Sequence, residues 1–90
     1  MKIEHIIKRD FTTTVYDLNK IIDAIEKAMS AVGVGNRQNA DDVASLVNQK
    51  LLERKKTEPE YIPTIEQVQD TVETKLMESQ FPEVAKAYIL

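Results

Sequence analysis

The sequence has 90 residues and a formal net charge of −3, with 42% apolar and 30% charged residues. A chain of this size can build only one small core, so we predict a single domain. The net negative charge argues against a dedicated nucleic-acid binder, which usually has a basic surface. Cysteine is absent and His5 is the only histidine, which excludes disulfides, thiolate chemistry and a multi-histidine metal site built from one chain.

The first residues do not have the features of a secretory signal. They include the acidic Glu4, and no apolar core of the length that such a signal needs follows Met1. The longest apolar run of the chain is far shorter than the ~20 residues that cross a bilayer. We therefore expect a cytoplasmic protein with no membrane contact.

Two β-branched segments at the start of the chain predict a β-hairpin. The first spans residues 2–7 and the second spans residues 12–16. The charged triplet Lys8-Arg9-Asp10 lies between them. The predicted turn therefore carries two adjacent cations.

An amphipathic helix, helix 1, is predicted after the hairpin. Asp17 has the residue type of an N-cap, and Gly33 offers a C-terminal stop. Apolar residues recur between them at helical spacing: Leu18, Ile21, Ile22, Ile25, Ala28, Met29 and Val32. Gly33 and Gly35 lie in one short turn, where a positive φ angle is the common reason for glycine.

A second helix is predicted from about Asn39 to Arg54, with Asn39 or Gln38 near its start. Its core-facing residues are expected to be Val43, Leu46, Val47 and Leu51. The charged stretch at residues 53–60 is expected to be a solvated connection, because its charges are costly to bury and Pro59 cannot continue a helix.

The segment Tyr61-Ile62-Pro63 is predicted to be extended and to add a third strand at the edge of the sheet, since residues before proline avoid the helical region. Thr64 and Gln67 then fit a capping box that begins helix 3. Its inward residues are expected to be Ile65, Val68, Val72 and Leu76. Pro82 begins a last helix, whose inward residues are expected to be Val84, Ala85, Tyr88 and Ile89.

The cations Lys8, Arg9 and Lys20 form a candidate phosphate site. The sequence has no glycine-rich loop followed by Lys-Ser or Lys-Thr, which excludes a P-loop. Side-chain cations of the turn, with Lys20 and the amide groups of the first helical turn, could hold phosphates in another way. On the residues alone, the alternative is a polar turn in which the charges of Lys8, Arg9 and Asp10 pair with one another.

Several blocks of the sequence, in this order and spacing, resemble the ATP-cone domain. They are IIKRD at 6–10, YDLNKI at 16–21, AVGVG at 31–35, IPTIEQVQDTVE at 62–73, LMES at 76–79 and VAKAYIL at 84–90. The family is the nucleotide-sensing module found mainly at the N-terminus of ribonucleotide reductases and in the repressor of their genes. The resemblance implies an α+β fold, a small bundle of about four helices capped by a three-stranded sheet. It implies that residues 1–90 form one such domain, the N-terminal part of a longer chain.

The resemblance also implies which residues contact the nucleotide. Lys8, Arg9 and Lys20 match phosphate ligands, and Ile6, Tyr16 and Ile21 would form walls for the base. Asp17 and Thr64 fall where polar contacts to the nucleoside are usual, and Val68 faces the same cavity from helix 3. For Thr64, a helix cap without ligand contact is an open alternative. Tyr88 and Lys86 match the closing helix, where we expect core packing for the tyrosine and solvent exposure for the lysine.

One residue departs from the family pattern. The family has a glycine after its Lys-Arg-Asp triplet, and this chain has Phe11. We therefore expect that the turn does not take a glycine-only conformation and that the phosphates approach it differently.

The resemblance implies a regulatory domain rather than a catalyst. Its expected effector is ATP or dATP, with Mg²⁺, and its expected partners are a catalytic or regulatory protein domain and further copies of the chain. Ribonucleotide reduction needs a cysteine radical, so catalysis would lie in a following domain. A zinc-ribbon repressor would need cysteines that these residues lack, and direct nucleic-acid binding is not expected. The alternative from another class is a helical protein-interaction adaptor that ignores nucleotides; a nucleotide hydrolase would need a magnesium loop that is not recognisable here.

Overall fold

A computed structural model describes residues 1–89, except for the side chain of Ile89. In this range the chain forms a two-stranded hairpin followed by four helices. The strands are β1 (His5–Ile7) and β2 (Thr13–Val15), and the helices are α1 (Leu18–Val32), α2 (Arg37–Thr57), α3 (Ile65–Glu78) and α4 (Pro82–Ile89). The predicted α+β class, the hairpin and the number of helices are confirmed.

The hairpin is antiparallel, and its register pairs Ile6 with Thr14. The prediction of a third strand is wrong for the described residues. The segment before α3 does not form a strand there; it makes one isolated parallel bridge, between Ile7 and Thr64. The Ile7 N–H donates to the carbonyl oxygen of Pro63 at 2.9 Å. Because Pro63 has no N–H to return a bond, a ladder cannot continue along this segment.

Helix α1 begins and ends as its sequence predicts. The Asp17 side chain accepts a hydrogen bond from the Asn19 N–H at 2.9 Å. At the other end Gly33 takes a left-handed conformation, and its N–H donates to the carbonyl of Met29. The apolar stripe between these caps is buried at Ile21, Ile22, Ile25, Ala28 and Met29, while Leu18 packs at the edge of the core.

Helix α2 is longer than predicted at both ends. Its N-cap is Asn36, whose side chain accepts from the Asn39 N–H at 2.9 Å, so the helix begins before Asn39. It continues to Thr57 because the cations of its last turn, Arg54, Lys55 and Lys56, favour the negative end of the helix dipole. Part of the expected connection is therefore helical.

The buried face of α2 differs from the predicted one at Leu46. The buried residues are Ala40, Val43, Ala44, Val47 and Leu51, which form one stripe at three- and four-residue spacing. Leu46 lies about 100° around the helix from Val47 and is 40% exposed. The prediction of an inward Leu46 is therefore wrong, and the buried Ala40 and Ala44 were not predicted as core residues.

Helices α3 and α4 complete the core. Thr64 and Gln67 form the predicted capping box, with each side chain bonded to the backbone of the other. Val68, Val72 and Leu76 of α3 are buried, as are Val84 and Ala85 of α4. The expectation for the Ile89 side chain lies outside the described residues. Within residues 1–89, no helix is both long and apolar enough to cross a bilayer.

Two glycines after α1 give a stability prediction with an internal control. Gly33 and Gly35 have φ angles of 80° and 79°, so alanine is strained at both. A Cβ at Gly33 meets nothing within 4 Å, whereas one at Gly35 lies 2.6 Å from Sδ of the buried Met29. We expect Gly33→Ala to lower the free energy of unfolding by about 1 kcal/mol. Gly35→Ala should cost about 1 kcal/mol more, because Met29 must shift in a packed core.

Urea denaturation of both variants measures the difference. Since the backbone strain is common to the two sites, the extra loss at Gly35 reports the contact with Met29. Equal losses at the two positions would show that Met29 moves aside without cost and would contradict the packing explanation.

Candidate functional site

A cavity of about 580 Å³ lies where the hairpin folds over the helices. Its walls come from the hairpin and its turn, the start of α1, one face of α3 and the end of α4. Pockets that bind small ligands commonly have volumes of about 300 to 1,000 Å³. The cavity is therefore large enough for a nucleotide-sized ligand.

The predicted site residues lie together in this cavity, with one exception. Those that line it are Ile6, Lys8, Arg9, Tyr16, Asp17, Lys20, Ile21 and Val68. Thr64 is not among the lining residues; its hydroxyl accepts from the Gln67 N–H at 3.1 Å as the cap of α3. The structure thus brings residues from both ends of the chain to one surface.

The charges of the turn do not pair with one another in the described part of the chain. Asp10 accepts hydrogen bonds from the hydroxyl and the N–H of Thr12, at 2.6 and 3.0 Å; these bonds, with a smaller effect of the Lys8 charge, lower the pKa of Asp10. Arg9 instead forms an ion pair with Glu66 of α3. Within residues 1–89, the ammonium groups of Lys8 and Lys20 have no acidic partner within 4 Å. Among the described residues, two of the cations that line the cavity are therefore outside any ion pair.

Phe11 takes the conformation that glycine would favour. Its φ angle is 68°, and its side chain is 88% exposed. The expectation that the turn avoids such a conformation is therefore wrong. A left-handed phenylalanine costs roughly 1 to 2 kcal/mol, and the Phe11 N–H donates to the carbonyl of Lys8 at 2.9 Å, which closes the turn. The triplet before Phe11 therefore keeps a tight turn without glycine.

Asp17 changes what the start of α1 can bind. Its carboxylate accepts from the Asn19 N–H, so one of the free amide groups of the first helical turn is already occupied. A carboxylate repels phosphate and accepts hydrogen bonds from hydroxyl or amino groups. At this end of the cavity the carboxylate of Asp17 therefore disfavours an anionic group and can accept hydrogen bonds from neutral donors.

The apolar wall of the cavity includes a tyrosine whose hydroxyl is hydrogen-bonded to a residue that does not line the cavity. Tyr16 is half-buried, and its hydroxyl donates to Asn48 Oδ1 of α2 at 3.0 Å. Burial raises the pKa of Tyr16 to about 12, so the hydroxyl is neutral at physiological pH. Ile6, Ile21 and Val68 complete the predicted apolar lining. This surface suits the face of a flat aromatic base.

Several lining residues were not predicted as site residues, and these are Thr14, Val15, Ala24, Ile65, Gln69 and Tyr88. Two of these residues could have been predicted from their spacing to predicted site residues. Thr14 is the cross-strand partner of Ile6 and shares a face with Tyr16 because strand side chains alternate. Ala24 lies one helical turn after Lys20.

Tyr88 and Gln69 could not be assigned in this way. Tyr88 was expected in the core; it packs at the edge of the core and also lines the cavity. Burial raises the pKa of its hydroxyl. Gln69 was found only through the tertiary structure, which brings α3 to the turn that contains Arg9.

The described residues contain no group of three or more His, Cys, Asp or Glu side chains that could hold a metal ion. Mg²⁺ commonly keeps several waters and binds through substrate phosphates with one or two carboxylates. A magnesium ion at this cavity would therefore enter with a phosphate ligand.

The sequence of this chain matches those of known proteins. The chain is 38% identical over 84 residues to the anaerobic ribonucleoside-triphosphate reductase of Haemophilus influenzae, a match that covers 93% of the chain and 11% of that enzyme. It is also 38% identical over 93 residues to the vitamin B12-dependent ribonucleoside-diphosphate reductase of Thermoplasma acidophilum, covering 98% of the chain and 11% of the enzyme. The chain thus spans about a tenth of the length of these relatives. The family model of the ATP cone domain matches residues 4–90, and the chain belongs to this family.

Proposed function

We propose that this chain is a nucleotide-sensing domain that binds ATP or dATP, with Mg²⁺, in the cavity between the hairpin and the helices. One observation carries the proposal: Lys8, Arg9 and Lys20 line the same cavity as an apolar wall. A triphosphate needs several cations, and a base needs an apolar surface. Family membership supports the same ligand.

The proposed ligand orientation follows from the charges. Lys8, Arg9 and Lys20 contact the phosphates, because charge-assisted hydrogen bonds to them contribute about 1.5 to 3 kcal/mol each. The base packs against Ile6, Tyr16 and Ile21, with Val68 facing it from α3. The hydrogen bond from the Tyr16 hydroxyl to Asn48 orients the tyrosine ring. Asp17 accepts from the nucleoside. Thr64 caps α3 and is left out of this orientation, because it does not line the cavity.

The proposed role is regulation of a ribonucleotide reductase. The relatives are enzymes with that activity in their names, and the present chain corresponds to a small part of each. Nucleotide occupancy would act by changing how the domain associates with a catalytic domain or with further copies. A ligand shifts such an equilibrium only through a difference in affinity for the two states, so the ATP-bound and dATP-bound states must differ in association.

Calorimetric titration with ATP, dATP and GTP tests the ligand. We expect ATP or dATP to bind with a dissociation constant near micromolar, about −8 kcal/mol, from three phosphate contacts and a buried base. GTP serves as the control for base recognition. Absence of binding by both adenine nucleotides would favour the protein-interaction adaptor, and equal affinity for GTP would contradict adenine sensing.

Sedimentation of the chain with and without each nucleotide tests the association. An adaptor would associate with its partner regardless of nucleotide. For the proposed sensor, the distribution of oligomers should differ between ATP and dATP at saturating concentrations.

A further inference from the structure

The three cations of the cavity are not equivalent. In the described residues, Lys8 and Lys20 have no ion-pair partner, but Arg9 is bound by α3. Its Nε donates to Glu66 Oε1 and its Nη2 donates to Gln69 Oε1, each at 3.2 Å. These two acceptors are three residues apart on α3 and therefore share a face. These bonds engage two of the five N–H donors of the guanidinium and hold it against α3.

The bond between Arg9 and Glu66 is of a kind that a ligand can exchange. Both side chains are largely exposed, at 70% and 53%, and exposed pairs are weak. Glu66 also lies in the first turn of α3, where the helix dipole stabilises a carboxylate without a cationic partner. When Arg9 leaves Glu66, the Glu66 carboxylate is therefore still stabilised by the helix dipole of α3.

We propose that Glu66 lowers the affinity of this site for phosphate ligands by competing for Arg9. Without ligand, the Glu66 carboxylate holds the guanidinium against α3. A triphosphate that takes the Nε–H donor of Arg9, or that draws the guanidinium away from α3, must displace this carboxylate, so Glu66 raises the nucleotide concentration at which the site fills. A ligand without phosphates does not need Arg9 and escapes this competition. The inference rests on the proposed nucleotide function.

Glu66→Gln is the direct test, because it keeps the size and polarity of the side chain and removes the charge. Loss of a competing exposed ion pair should tighten ATP binding about two- to fivefold in a calorimetric titration. Adenosine should bind the variant and the unaltered chain equally. Gln69→Glu should act in the opposite direction and weaken ATP binding, since it presents a second carboxylate to Arg9.

Two further variants separate competition from a general change of charge. Glu73 lines the small cleft beside Arg9 and Gln69, and it does not bond Arg9 in the described structure. Glu73→Gln removes the same charge and should tighten ATP binding less than Glu66→Gln does. In an Arg9→Ala background, Glu66→Gln should no longer tighten ATP binding, because a double-mutant cycle isolates the pair.

The results that would overturn the inference differ from those that would overturn the proposed function. Unchanged or weaker ATP binding by Glu66→Gln would show that Glu66 does not compete, and weaker binding would indicate that it supports Arg9. An equal gain with adenosine, with Glu73→Gln or in the Arg9→Ala background would also overturn it. Failure of the unaltered chain to bind ATP would overturn the proposed function, and the inference with it.

Discussion

Saturating ATP or dATP with magnesium is expected to raise the melting temperature of this chain by about 10 to 20 °C. A ligand at 100 times its dissociation constant stabilises the folded state by about 2.7 kcal/mol. A domain of this length gains roughly 4 to 8 °C for each kcal/mol. The shift should grow with the logarithm of nucleotide concentration, because the ligand binds the folded state only.

The same melts carry their own controls. Magnesium alone tests a metal effect, and inorganic triphosphate with magnesium tests the contribution of the phosphates without a base. We expect a smaller shift with inorganic triphosphate than with ATP, since the apolar wall formed by Ile6, Tyr16 and Ile21 then remains unused. A melting temperature unchanged by millimolar ATP and dATP would contradict the nucleotide-sensor proposal for this chain.

Helix ends could be predicted where the signal is local. Asp17, Gly33 and the pair of Thr64 and Gln67 act on backbone groups within four residues, so residue type and spacing sufficed. The start of α2 was missed because several polar residues in a row could cap it. Asn36 does so, and the choice depends on backbone geometry rather than residue type.

The missing third strand is a different kind of error. An extended segment before a proline was expected at 61–63 to add a strand, but strand pairing needs donors and acceptors from both sides. In the described residues, this segment pairs with β1 only through the hydrogen bond from Ile7 to Pro63 and the bridge between Ile7 and Thr64. Leu46 illustrates a further limit, because a large apolar residue can lie on an exposed face while smaller alanines are buried on the inner face of the same helix.

Within the site, the sequence resemblance identified most lining residues but not their mutual contacts. Lys8 and Lys20 belong to neighbouring segments, and both line the cavity. Arg9 and Glu66 are separated by 57 positions. No local pattern links them, so the sequence alone could indicate the three cations but not that one is held by a carboxylate.

Replacing both turn cations should weaken ATP binding more than any other change proposed for this chain. Lys8→Ala or Arg9→Ala alone should each reduce affinity about ten- to a hundredfold, which corresponds to ~1.5 to 3 kcal/mol per charge-assisted bond. If Glu66 competes for Arg9, the loss from Arg9→Ala should lie nearer the lower value. The double variant should lose more affinity than either single variant; because both residues are proposed to contact the same phosphates, the two free-energy terms are not expected to add independently.

Stability must be measured beside affinity for this result to be specific. Both side chains are exposed in the turn, and the exposed pair of Arg9 and Glu66 contributes little to folding, so the double variant should melt near the unaltered chain without nucleotide. Thr64→Ala is the contrasting variant: loss of its cap should cost about 1 kcal/mol of unfolding free energy with or without ATP. Unchanged ATP affinity in the double variant would mean that Lys8 and Arg9 are only a polar turn.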